Sequence, residues 1–124
     1  MSLPVLVTIL VSVLLSALAQ IALKAGMSRP EIAQAIAEGA PATIAASIAT
    51  QPFVILGLAA YGLGAVVWLF VLSRIDVSLA YPFVSLGIVV TMLLGMLVFG
   101  EVITAMRAAG AAFIIVGIVM LAWS

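Results

Sequence analysis

The sequence predicts an all-α membrane protein, with four transmembrane helices and a short interfacial helical segment between the first and the second. Composition is the first reason. Of 124 residues, 68% are hydrophobic and mean hydropathy is +1.53, with only four basic and four acidic side chains. A soluble domain carries about 25% charged residues, so this chain cannot cover a surface with polar groups. Segment length is the second reason: four runs reach or approach the ~20 apolar residues that a bilayer requires. The third is the shortness of the last two connections, which makes the last three helices antiparallel neighbours. Residues 1–124 read as a single four-helix domain.

The first span, about 3–24, carries Thr8, Ser12, Ser16, Gln20 and Lys24 at every fourth position. On an α-helix this series forms one stripe that curls by roughly 40° per step. The remaining Leu, Val, Ile and Ala suit lipid. Hydrocarbon offers no hydrogen-bond partners, so the stripe must meet another helix or a hydrated cavity. It reads as a wall of a translocation path or as helix-packing glue. The hydroxyls of Thr8 and Ser12 can also bond back to their own helix. Gln20 is harder to satisfy that way, because its amide has four hydrogen-bonding sites. The opening MSLPVL lacks a basic n-region, and the run is long enough to span, as expected of a retained helix rather than a cleaved signal.

Residues 28–50 are expected to lie on the membrane surface as an amphipathic helix or a helix–break–helix; a flexible Ala-rich loop is the alternative. Ser28 and Glu31 match a capping box, with Pro30 in the first turn. Ile32 and Ile36 oppose Glu31, Gln34 and Glu38. Gly39 and Pro41 break the run before a second short apolar face at Ile44 and Ile48.

The second span, about 53–73, opens at Pro52 and ends at Arg74. Its Tyr61 and Trp68 share a face and are expected to pack in lipid rather than stack on a ligand. The third, about 77–100, holds Ser78, Tyr81 and Ser85 on one face around Pro82, whose missing N–H and bulky ring predict a kink if it lies deep in the helix. Tyr81 reads as a groove hydroxyl or as a headgroup-level belt residue. The fourth, about 106–123, is short. It places Gly110 and Gly117 on one face, permitting close approach of another helix, and ends at the belt aromatic Trp123. Gly87, Gly95 and Gly100 offer similar approaches on the third span.

Several function classes are excluded. Cysteine and histidine are absent, so there is no disulfide framework, thiol chemistry or ordinary zinc site, and no nucleophile–base pair for an enzyme. No residue marks a metal or organic cofactor. A formal net charge of +0 gives no field to recruit nucleic acid. No Asp or Glu lies inside a span, where a buried carboxylate is the usual proton-coupling device. Among the cations, Lys24 continues the polar stripe, so Lys24, Gln20 and Ser16 together suit a phosphate-bearing ligand. Snorkelling to the interface is the plainer reading of Lys24, and more so of Arg74 and Arg107. Glu101 is expected to pair with Arg107 across the last loop. The positive-inside rule, with Lys24, Arg29 and Arg107 against Arg74, places the first and third loops in the cytoplasm.

Taken together, several runs carry a likeness: Leu14-Leu-Ser16-Ala-Leu-Ala-Gln20 with Lys24, Trp68-Leu-Phe-Val-Leu72, Ala80-Tyr-Pro82, Ser85-Leu86, the FGE ending at Glu101, and Ala112-Phe-Ile-Ile-Val-Gly117-Ile-Val. The pattern resembles the small-multidrug-resistance branch of the drug/metabolite transporter superfamily, most closely the subunits that flip undecaprenyl phosphate-linked aminoarabinose. The long first loop is an insertion outside the likeness. Drug exporters of that branch carry a glutamate where this chain has Ser16 and a tryptophan where it has Val84, which argues against proton-coupled export of cationic drugs.

The resemblance implies a multi-pass protein of the bacterial inner membrane that translocates a lipid-linked sugar or related amphiphile. Ser16, Gln20, Lys24, Tyr81 and Ser85 are the expected substrate-binding residues. Four helices enclose little volume, so the path is expected at a subunit interface. The partner is expected to be antiparallel, in a homodimer or a heterodimer with a paralogue, joined partly through Gly110 and Gly117. Two alternatives stay open at this point: an exporter of small hydrophobic cations or metabolites, and a non-transporting accessory membrane subunit.

Overall fold

The computed structural model describes residues 1–124 and is helical almost throughout. The elements are α1 (Leu3–Met27), α2 (Pro30–Glu38), α3 (Pro41–Ala49), α4 (Pro52–Leu72), α5 (Val77–Ala80), a 3-10 turn (Tyr81–Phe83), α6 (Val84–Phe99) and α7 (Ala105–Ala122). Four stretches are long and apolar enough to cross a membrane: α1, α4, the continuous run Val77–Phe99, and α7. This is a multi-pass membrane protein.

The helix ends follow local chemistry. Proline occupies the first turn of α1, α2, α3 and α4, where its missing N–H has no intrahelical role. Gly39, at φ 76°, ends α2 in the left-handed conformation, and Pro41 starts α3, so the insertion is a helix–break–helix rather than a loose loop. The capping box does not form. Helix α1 runs on to Met27, past the expected end of the span, and Ser28 becomes its C-cap, with the hydroxyl donating to the Lys24 carbonyl at 2.7 Å. Arg29 is the N-cap of α2 and makes no side-chain cap. The insertion docks through Ile32 and Ala35, both buried, while Ile36 is half exposed. The Arg29 guanidinium lies 4.8 Å from the Phe53 ring centroid, tying the start of α2 to α4 by a cation–π contact.

The long helices pack in the order α4, α1, α6, α7, and α4 scarcely touches α6. The α1–α4 seam is the closest. Three glycines let the two backbones approach. A Cβ on Gly26 would lie 2.7 Å from Val54 Cγ2 and 2.9 Å from the Val54 amide nitrogen. One on Gly57 would lie 2.8 Å from Leu23 Cγ, and one on Gly64 3.3 Å from Ser16 Oγ. Because lipid is as apolar as leucine, helices associate in a bilayer through such close packing rather than through the hydrophobic effect.

A second cluster holds the end of the bundle that carries both chain termini. Ile9 and Val13 of α1, Val71 of α4, Ala80, Phe83 and Ile118 of α7 are buried together. Elsewhere α7 is loosely held: Ile118 is its single buried residue, and Phe113 is 79% exposed. Gly110 and Gly117 have nothing within 4 Å of where a Cβ would stand, so that face of α7 is uncovered within the chain.

The seam predicts opposite outcomes for two glycine substitutions. Gly26→Ala forces the α4 backbone away and should destabilise by about 1–3 kcal/mol. Gly62→Ala, at a position with open space around it, should be neutral or slightly stabilising. Thermal unfolding in mild detergent separates the two.

Candidate functional site

Because α1 contacts both α4 and α6 while those two barely meet, the three helices form a trough with α1 as its floor. The trough is a cavity of about 680 Å³, within the range of small-molecule sites. The floor is the polar stripe: Ser12, Ser16, Gln20 and Lys24 all line it. Tyr61, Gly64, Ala65 and Trp68 form the α4 wall, and Val84, Gly87, Ile88, Thr91, Met92 and Gly95 the α6 wall.

The members of the stripe find different partners. Thr8 lies outside the cavity and bonds back to its own helix, its hydroxyl donating to the Pro4 carbonyl at 2.8 Å. Buried Ser12 bonds across the seam, donating to the Gly64 carbonyl at 2.8 Å. Ser16 is half-buried beside Gly64, and Gln20 and Lys24 are exposed. Polarity therefore passes from packing glue to open groove along one helix face.

The α6 wall has helical spacing: 84, 87, 88, 91, 92 and 95 fall on one face. Tyr81, 64% exposed, lines the cavity from the 3-10 turn. Ser85 does not line it. Ser85 follows Val84 by about 100° around the helix, which sets it to the side of the face that Val84, Ile88, Thr91 and Gly95 present. Ser16, Gln20, Lys24 and Tyr81 are thus brought together, and Ser85 stands apart, half-buried on α6.

Three lining features were not expected from the sequence. Tyr61 and Trp68, expected to pack in lipid, line the groove, and Trp68 also packs against the buried end cluster. Each lies four residues after a seam glycine, Gly57 or Gly64, and that spacing sets them beside the seam; it is the signal that was present in the sequence. The third is Glu101. It does not pair with Arg107, whose guanidinium donates to the Val102 carbonyl at 3.2 Å. Gly100, at φ 67°, turns the chain back on itself, and the Glu101 amide donates to the Gly95 carbonyl at 3.3 Å. This Schellman-type reversal lays the Glu101 carboxylate over Gly95, where a Cβ would overlap Oε1, and at the rim of the cavity.

The EamA-like transporter family matches residues 2–123. The chain belongs to that family. It is also similar to proteins described as probable 4-amino-4-deoxy-L-arabinose-phosphoundecaprenol flippase subunits ArnE. The one from Pseudomonas savastanoi pv. phaseolicola is 44% identical over 66 residues, 53% of this chain and 58% of that protein. Those from Pseudomonas aeruginosa and Yersinia pseudotuberculosis are 38% identical over 71 residues and 34% over 74, covering 57% and 60% of this chain and 62% and 65% of theirs. The matches therefore span about three-fifths of these relatives' length. No solved structure matches the chain. The resemblance carried by the sequence runs is borne out at the level of family, and the family is one of transporters.

The two hydroxyls at the tight end predict a contrast. Ser12→Ala removes an interhelical bond and should cost about 0.5–1 kcal/mol. Thr8→Val removes a bond made within one helix turn and should change stability by less than about 0.5 kcal/mol. Unfolding by denaturing detergent measures both.

Proposed function

We propose that this protein translocates a lipid-linked sugar phosphate or a related amphiphile across the bacterial inner membrane, through the groove floored by α1. The observation that carries the reading is the groove's polarity. A ladder of Ser16, Gln20 and Lys24 forms the floor between two largely apolar walls, and the space between α4 and α6 is open to the side. A headgroup held on that floor leaves its polyprenyl chain in lipid through the gap. Lys24, in the last turn of α1, supplies the charge for a phosphate, and Gln20, Ser16 and Tyr81 supply hydrogen bonds to it or to the sugar. The named relatives, whose described substrate joins an amino sugar to a polyprenol through phosphate, support the same class. Residues 28–50 lie along the membrane surface, and the helix ends carrying Lys24, Arg29 and Arg107 face the cytoplasm.

The working unit is an antiparallel pair of this chain with itself or with a paralogue. The uncovered Gly110–Gly117 face of α7 is the contact that would join it. An accessory subunit without a path of its own is the weaker reading, since packing consumes only Ser12 of the four stripe residues that reach the cavity. Export of a hydrophobic cation has one observation in its favour, the aromatic wall of Tyr61 and Trp68. Proton-driven uptake of a quaternary ammonium dye into vesicles would support it instead.

Binding of a polyprenyl phosphate sugar to the protein in lipid nanodiscs tests the proposal. Lys24→Ala should weaken it by roughly ten- to a hundredfold, the worth of a hydrogen bond to a charged group, and Lys24→Arg should largely preserve it. Unchanged affinity in Lys24→Ala would remove the phosphate assignment.

A further inference from the structure

Two opposite charges share the insertion-side end of the groove. Lys24 closes α1, and Glu101 follows α6, which runs in the same direction, so both reach one end of the same cavity. Neither charge is engaged by the chain's side-chain hydrogen bonds. The cation that follows Glu101 in sequence, Arg107, is turned to the Val102 carbonyl.

The placement of Glu101 is not what helix stability asks for. A helix C-terminus presents partial negative charge and favours cations, yet a carboxylate is folded back over the last turn of α6. Two features put it there. Gly100 takes the left-handed conformation that reverses the chain, and Gly95 has no side chain to hold the carboxylate away. The result is a negatively polarised spot, a carboxylate laid against the C-terminal turn of α6, in the same cavity as a lysine. Such a spot has no use for a phosphate. It suits a cation delivered by the ligand.

Resting on the phosphate reading of Lys24, we propose that Glu101 recognises a protonated primary amine on the headgroup, so that the groove selects zwitterionic headgroups bearing both a phosphate and an ammonium. Lys24 takes the anion and the rim formed by Glu101 and Gly95 takes the cation. An ammonium donates up to three hydrogen bonds, and the Glu101 carboxylate accepts at least one as a charge-assisted bond. Acylating the amine removes that charge and leaves the phosphate untouched. Amine recognition and phosphate recognition are therefore separable.

The test uses two probes, a polyprenyl phosphate carrying a sugar with a free amine and the same lipid N-acetylated, each titrated against full-length protein in nanodiscs. The wild type should prefer the free amine by about tenfold or more. Glu101→Gln should abolish that preference while keeping the affinity for the acetylated lipid, and Glu101→Asp should restore part of it. Gly95→Ala, which displaces the carboxylate without altering its charge, should also reduce the preference. A merely structural role for Glu101 would lower both affinities together and leave their ratio unchanged, which would overturn the proposal. Equal affinity of the wild type for the two lipids would overturn it while leaving the Lys24 reading intact. Failure to bind either lipid would remove both.

Discussion

A polar group on a lipid-soluble helix needs a partner that lipid cannot supply, and the form of this bundle follows from how α1 meets that requirement. Its stripe is satisfied in three ways in succession. Thr8 turns back to its own carbonyls, Ser12 reaches across to Gly64, and from Ser16 onward the stripe faces open space between α4 and α6. Of the first two, Ser12 fastens α1 to α4, while Thr8 is satisfied within its own helix. The last three leave a polar floor that neither neighbouring helix covers.

That division depends on the α1–α4 seam. The glycines at 26, 57 and 64 hold α4 hard against one side of α1, and the contact sets Tyr61 and Trp68 over the groove instead of toward lipid. On the other side, Gly87 meets Val13, with a Cβ at Gly87 reaching ordinary contact at 3.5 Å. Farther along, α1 and α6 enclose the cavity. The cluster of Ile9, Val13, Val71, Ala80, Phe83 and Ile118 shuts the end near the termini. The charged residues stand at the opposite end. The bundle is thus closed by packing at one end and lined by Lys24 and Glu101 at the other, an arrangement that the proposed headgroup site requires.

Much of this was legible in the sequence because its causes are local. Span lengths follow from composition, the break at Gly39–Pro41 from backbone chemistry, and the stripe of α1 from period alone. Ser16, Gln20, Lys24 and Tyr81 reach one cavity because the first three share a helix face and the fourth borders the same trough. What the sequence concealed depends on neighbours. Ser28 fits a capping box only if α1 ends before it, and α1 runs on to Met27. Ser85 looks aligned with Tyr81, but the wall of α6 that borders α1 runs through Val84, Ile88, Thr91 and Gly95 and leaves it to the side. Tyr61 and Trp68 look lipid-facing until the seam glycines are paired with α1. Glu101 points toward Arg107 by proximity in sequence, but the reversal at Gly100 sends it to Gly95 instead.

The proposed path requires that the stripe on α1 floor a hydrated groove in the bilayer. The chain contains no cysteine, so single cysteines report without background. The most direct measurement is the reaction of Ser16→Cys, Gln20→Cys, Leu14→Cys and Leu18→Cys with a membrane-impermeant thiol reagent, which requires water to form the reactive thiolate. A hydrated groove gives labelling at 16 and 20, and protection at 14 and 18, whose leucines are half exposed on the lipid-facing side of the same helix. Protection at all four positions, or equal labelling at all four, would contradict it.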